Sequence, residues 1–354
     1  MKLKLLLLLL SCSCFAQVPA YYGSIDFTQG GEILKDQLAA LITATHTTEL
    51  TYTSGSSGLL DTWTVLKQSD LDLSQENAVL LIYGWNDQSA MVSEHRSRGV
   101  DESCHTSSCN GKWVREHVFP RSLGTPNLGS EGAGSDAHNL RAVDAQRNNT
   151  RGNRMFAGAN SSIASFAINA GSWYPGDEWI GDVARIAMYM YLRYPTQCAA
   201  TAVAGGSAAF ADFGDMPDVL LEWNVLDPPS GFELNRNNAI AASQGNRNPF
   251  IDNPYLATLI WNGPAAADSW NLLHVDRFQT PAVKLYPTIT SGTVFVENST
   301  GAALKYCLYD PVGQLVKQEE LRNEIDLSAC ASGLYLVRVS GQGSSKTYKL
   351  VKKN

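Results

Sequence analysis

The hydrophobic positions of this 354-residue chain change period along its length. Between Glu32 and Ile42 the apolar residues Ile33, Leu34, Leu38, Leu41 and Ile42 recur at three- and four-residue spacing, which predicts an amphipathic helix. Ala78–Tyr83 is instead a short unbroken apolar run of strand length. A second helical stretch, Asp182 to Leu192, is apolar nearly all round and predicts a buried helix whose Met188 and Met190 fill core space. Past residue 280 the pattern shortens to strands over Thr293–Asn298, Leu304–Tyr309, Gln314–Lys317 and Leu334–Val339, with Gly or Pro in several of the gaps. The fold class is therefore α+β: a mixed domain over 17–278 and a small all-β sandwich over 282–354.

The N-terminus stands apart from both. Met1-Lys2-Leu3-Lys4 is basic, Leu5–Leu10 is apolar, and Ser11 to Ala16 is rich in small residues, which predicts a signal peptide over 1–16 cleaved after Ala16. The apolar run falls far short of the roughly 20 residues that cross a bilayer, and no other stretch spans one, so no stable membrane insertion is expected. Cleavage would remove Cys12 and Cys14 and leave Cys104, Cys109, Cys198, Cys307 and Cys330. Export permits disulfides, and proximity favours Cys104 with Cys109 and Cys307 with Cys330, leaving Cys198 over. The competing reading of Cys104, His105 and Cys109 as a zinc site lacks a second ligand pair at the usual spacing.

The residues that carry chemistry lie between Trp113 and Asn153. Trp113 to His117 is strand-like and is closed by Pro120; a Gly-rich loop follows; Asn139–Val143 alternates as a second strand. Asp144 is a good N-cap, Ala145 to Arg151 makes two helical turns, and Gly152 is a natural stop. Asn148 and Arg151 are three apart and share a helix face. Phosphodiester hydrolysis needs a base for water and a cation to offset charge on the phosphate and the leaving oxygen. His117 suits the first task, since its ordinary pKa lies near neutrality. Glu116 and Asn148 suit the second as hard oxygen ligands for Mg²⁺, with Mn²⁺ or Ca²⁺ as alternatives. Arg151, Arg121 or Arg141 would grip the phosphate. One geometric condition attaches: neighbours on a regular strand face opposite ways, so Glu116 and His117 serve one site only if the strand is kinked or ends there. His138 is read as structural, and Arg247 with Asp252 as a structural ion pair.

This region resembles the bacterial endonuclease I family, whose site is a ββα-metal finger. Outside the finger the resemblance rests on Trp179–Arg185, Leu221–Asn224 and Gln244–Asp252. It implies Glu116 and Asn148 as metal ligands, His117 as general base and a product carrying a 5′ phosphate. The family arginine of the loop after the histidine has no counterpart within Ser122–Ser135, and Arg121 is the nearest candidate. The tail resembles the C-terminal sorting domains read by the type IX secretion system, through Leu285-Tyr286-Pro287, Gly313–Val316, Ile325–Ser328, Ser332–Val337 and Lys349–Asn354, though Thr288 departs from the pattern. That implies the secretion machinery as a partner and secretion or cell-surface display as the destination.

The formal net charge is -7, which by itself argues against a polyanionic partner. From Lys112 to Arg154, however, seven Lys or Arg stand against four acids. Binding of DNA, or of RNA as well, is then expected to be local and salt-sensitive, and without a base-reading module it has low sequence specificity. The rival readings are a catalytically silent surface protein that binds extracellular DNA and a surface adhesin using the C-terminal sandwich.

Overall fold

The computed structural model describes residues 18–55, 60–106, 108–272, 283–298, 304–311, 314–341 and 344–353. The expected signal peptide at 1–16 lies outside the described residues. The chain divides into two compact units, one of residues 1–26 with 31–271 and one of 27–30 with 272–354.

The first unit opens with α1 (Gly31–Ala44), whose Leu34, Leu38 and Ile42 are fully buried, as the spacing predicts, and α2 (Thr62–Ser69), capped by Asp61. The apolar run at 78 yields only a three-residue strand, β1 (Ala78–Leu80), paired with β2 (Ser97–Gly99); the chain then turns at Tyr83. Next come the finger elements β3 (Trp113–His117), β4 (Leu140–Asp144) and α3 (Ala145–Arg151). A small sheet of β5 (Met155–Phe156), β6 (Phe166–Ala167) and β7 (Ser172–Tyr174) follows, with β7 central. The expected buried helix is α4 (Ile180–Arg193), in which Val183, Ile186, Met188, Met190 and Leu192 are buried. Burying each such side chain contributes about 1.5–3 kcal/mol, so α4 anchors the unit. Around it run α5 (Ala200–Val203), α6 (Asp218–Leu226), α7 (Gly231–Gln244), α8 (Pro249–Asp252) and α9 (Tyr255–Trp261). Buried arginines join these elements: Arg141 of β4 on Asp182 of α4 at 2.5 Å, Arg185 of α4 on Glu233 of α7 at 2.6 Å, and Arg236 of α7 on Asp70 at the end of α2.

The second unit is the expected sandwich. One sheet holds β8 (Val283–Tyr286), β10 (Thr293–Asn298) and β13 (Glu324–Asp326) in the order β13-β10-β8. The other runs β12-β11-β14-β15-β9, formed by β9 (Ile289–Thr290), β11 (Leu304–Tyr309), β12 (Leu315–Leu321), β14 (Gly333–Gly341) and β15 (Ser344–Lys352). Val294, Val296 and Ile325 of the first meet Tyr306, Leu308 and Val337 of the second in one apolar core.

Of the two expected disulfides one is present. Cys104 and Cys109 are bonded with their Cα atoms 5.5 Å apart, which consumes both thiols and removes the zinc reading. Cys307 and Cys330 are free thiols, contrary to expectation. The reason is strand alternation: Tyr306 and Leu308 point into the core, so Cys307 between them faces the other way, while Cys330 packs against the core. Cys198 is free and buried.

Candidate active site

Within the finger β4 runs into α3 without a linker. β3 and β4 pair antiparallel with Glu116 opposite Arg141 and His117 opposite Leu140, and the last residue of β4 is the N-cap of α3. The Asp144 carboxylate accepts the N–H groups of Gln146 and Arg147 and pairs with Arg98 at 3.1 Å. The condition on Glu116 and His117 is met because β3 ends at His117. Beyond it the Asn139 side chain replaces a strand neighbour, accepting from the Phe119 N–H at 2.7 Å and donating to the Phe119 carbonyl at 3.1 Å. Arg151 secures the same end from α3, donating to the carbonyls of His117 at 3.2 Å and Val118 at 2.9 Å. Both Glu116 and His117 are consequently buried at one strand end, and both line one cavity of about 300 Å³ together with Arg115, Pro120, Arg121, Ser122, Asn148, Gly152 and Asn153.

Burial pushes the Glu116 carboxyl up to about 7, against the opposing pull of Arg151 at 3.1 Å and the Tyr83 hydroxyl at 2.9 Å. Both partners fall on Oε1; among the described residues no donor reaches Oε2. Asn148 is half-buried on the cavity side of α3, and its amide has no hydrogen-bond partner among the described residues. A carboxylate oxygen without a protein donor, on a cavity that a free amide also lines, fits a hard cation that keeps most of its water. Among the described residues no group of three or more His, Cys, Asp or Glu forms an all-protein metal cage.

His117 is held differently. Its Nε2 meets the Gly134 carbonyl at 2.9 Å, an acceptor that assigns the proton to Nε2 and leaves Nδ1 with the lone pair. Burial lowers its pKa to about 4, with Gly134 opposing, so the ring is neutral at physiological pH. Gly134 must be glycine: a Cβ there would stand 1.9 Å from the Gly129 carbonyl oxygen. The Tyr52 ring lies 5.5 Å from the imidazole at 25°, and the Arg115 guanidinium sits 3.5 Å from Tyr52 and 4.1 Å from Trp63. Trp63 in turn stacks on His105 at 3.9 Å.

The arginines separate into two groups. Arg121 is exposed, lines the cavity and, among the described residues, donates only through Nε, to Leu128 at 2.8 Å, which leaves its terminal nitrogens without a partner there. Arg151 does not line the cavity; it is fully buried on Glu116 and on the carbonyls of His117, Val118 and Gly152, which corrects the expectation that it grips phosphate. Arg141 is likewise spent on Asp70 and Asp182. His138 lies in a short turn, Ala137–Asn139, and faces the Asn246 carbonyl at 3.3 Å, a structural role as read. Arg247 and Asp252 form the expected pair at 2.6 Å. Tyr83, Tyr52 and Arg115 were not assigned from the sequence. The first two lie thirty or more residues before the finger, and Arg115 is on the strand itself, beside the Glu116 and His117 whose chemistry is the more distinctive.

Residues 284–353 match the secretion system C-terminal sorting domain, so the protein is secreted or displayed at the cell surface; no helix among the described residues is long and apolar enough to cross a membrane. Two extracellular ribonucleases, from Bacillus subtilis (strain 168) and Bacillus amyloliquefaciens, are each 35% identical over 257 residues, covering 70% of this chain and 80% and 79% of their own. Residues 30–255, which contain the entire finger and its cavity, match the model for Endonuclease I. The chain is a nuclease of the endonuclease I family.

Proposed function

We propose that this chain is a divalent-metal-dependent endonuclease that hydrolyses phosphodiester bonds in both RNA and DNA with little base preference, leaving 5′ phosphates. The observation that carries the reading is the convergence of Glu116, His117, Asn148 and Arg121 on one cavity at the end of β3. His117 Nδ1 takes the proton of the attacking water, and the Gly134 carbonyl keeps the ring in the tautomer that allows it. Arg121 binds the non-bridging phosphate oxygens with the nitrogens that Leu128 leaves free. A divalent cation held by Glu116 and Asn148 would offset charge on the phosphate and on the departing 3′ oxygen. RNA belongs among the substrates because relatives at 35% identity bear the name ribonuclease, and DNA because attack by an activated water needs no 2′ hydroxyl on the substrate.

The test is cleavage of plasmid DNA and of single-stranded RNA by the purified mature chain with Mg²⁺, Mn²⁺ or Ca²⁺, and with EDTA. Cleavage of both polymers that EDTA abolishes is expected. Undiminished cleavage in EDTA would remove the cation from the reading, and binding without cleavage under every metal would leave a silent binder.

A further inference from the structure

The turn at Tyr83–Gly84 is built more tightly than a connection between β1 and β2 requires. Tyr83 is fully buried and has φ +72°, a left-handed conformation that a bulky aromatic residue rarely adopts. Four hydrogen bonds fix the segment: the Ile82 N–H donates to the Ala142 carbonyl of β4, the Gly84 N–H to the Leu81 carbonyl, the Ser165 hydroxyl to the Tyr83 carbonyl at 2.8 Å, and the Trp179 indole to the Gly84 carbonyl at 2.8 Å. Gly84 admits no side chain, since a Cβ would lie 2.1 Å from the His95 carbonyl oxygen. Backbone held in a disfavoured region by its surroundings on this scale marks a residue whose side chain must be delivered to a particular place.

That place is Glu116. The Tyr83 hydroxyl donates to Oε1 at 2.9 Å, from a ring set 5.7 Å from Trp173 and 6.4 Å from Phe156. Phe156 also lies under the Arg151 guanidinium at 4.6 Å, so both groups that hold Oε1 rest on one aromatic side chain. Resting on the reading of Glu116 as a cation ligand, we propose that Tyr83 is a positioning residue for the metal site. Its strained backbone and phenol anchor Oε1 so that Oε2 stays turned toward the cation. A carboxylate on three rotatable bonds would otherwise sample several orientations inside the cavity, and outer-shell hydrogen bonds of this kind set metal affinity.

Tyr83→Phe deletes one hydroxyl and keeps the ring. Isothermal titration of the full mature chain with Mn²⁺ is expected to show Kd weakened about tenfold in the variant. Cleavage at limiting Mn²⁺ falls in proportion and returns at saturating Mn²⁺, while KM for nucleic acid and the melting profile stay near those of the parent. Ser165→Ala, which frees the Tyr83 carbonyl but keeps the phenol, is expected to shift Kd in the same direction by less, and it serves if the first variant does not fold. Equal Mn²⁺ affinity in parent and Tyr83→Phe overturns the positioning role. A parent that does not titrate Mn²⁺ overturns the cation reading of Glu116 itself, a distinct failure visible before any variant is made. Weakened binding accompanied by an equal rise in KM and a collapsed melting profile assigns Tyr83 to general structure instead.

Discussion

Arg151 and Glu116 form an ion pair at 3.1 Å in which the side chains are only 0% and 3% exposed. Removing the guanidinium would strand a buried carboxylate and unpair the His117 and Val118 carbonyls together. Arg151→Leu is expected to cost about 3–5 kcal/mol in urea denaturation at pH 8. The loss should be smaller at pH 5, where Glu116, already raised to about 7, escapes by protonation. A cost below about 1 kcal/mol at pH 8 would reduce the pair to the standing of a surface contact.

His117→Ala should lower cleavage of either polymer by about 10²–10⁴-fold, the range of a lost general base. Among the described residues the imidazole makes one hydrogen bond, to Gly134, and leaving that buried carbonyl unpaired should cost about 1–3 kcal/mol of stability. Near-normal cleavage of plasmid DNA by this variant is the result that would move the base elsewhere.

His138 gives the fold an acid-sensitive element. Burial holds its folded pKa at about 4, below the ordinary 6.5, with Asp136 opposing. Between those values the unfolded chain takes a proton that the native one refuses. The stabilising contribution is therefore complete above pH 6.5 and is lost progressively as pH falls to about 4. The stability of the parent minus that of His138→Gln should shrink by about 3 kcal/mol from pH 7 to pH 4. A difference flat across that range would contradict the shift.

Peptide mapping of the non-reduced protein should recover one bridge, Cys104–Cys109, with Cys198, Cys307 and Cys330 alkylated after denaturation. Replacing both bridged cysteines by serine is expected to cost about 2 kcal/mol, small because the loop is short. A recovered Cys307–Cys330 peptide would require β11 to present Cys307 on its other face.

Deleting residues 282–354 should leave cleavage intact and abolish delivery to the surface or medium, because the candidate site lies wholly within the unit of 31–271. Loss of cleavage in that deletion would tie the tail to the chemistry. Assay of cell-associated and released nuclease separates the outcomes.

Local pattern carried the sequence reading where one element decides the outcome. The cap at Asp144, the helix to Arg151 and the stop at Gly152 appear as read, since each depends on the residue in place and its nearest neighbours. The alternation in 293–298 and 304–309 likewise sufficed for β10 and β11. What failed depends on partners distant in sequence. Arg151 and Arg141 look like phosphate ligands until Glu116, Asp70 and Asp182 are seen to occupy them, and Cys307 looks paired until its strand face is known. Tyr83 has no local signal at all, because its significance lies in a carboxylate 33 residues away.

Glycines at 129 and 134 have a consequence for inheritance. The stretch Ser122–Ser135 would ordinarily tolerate point changes as a glycine-rich surface connection does, yet any missense change at Gly134 sets a Cβ 1.9 Å from the Gly129 carbonyl oxygen and so forces a shift of backbone beside the carbonyl that meets His117 Nε2. On the proposed role of His117 such an allele is expected to lose cleavage, so the loop that looks most permissive is where single-nucleotide damage has to be sought by activity as well as by expression.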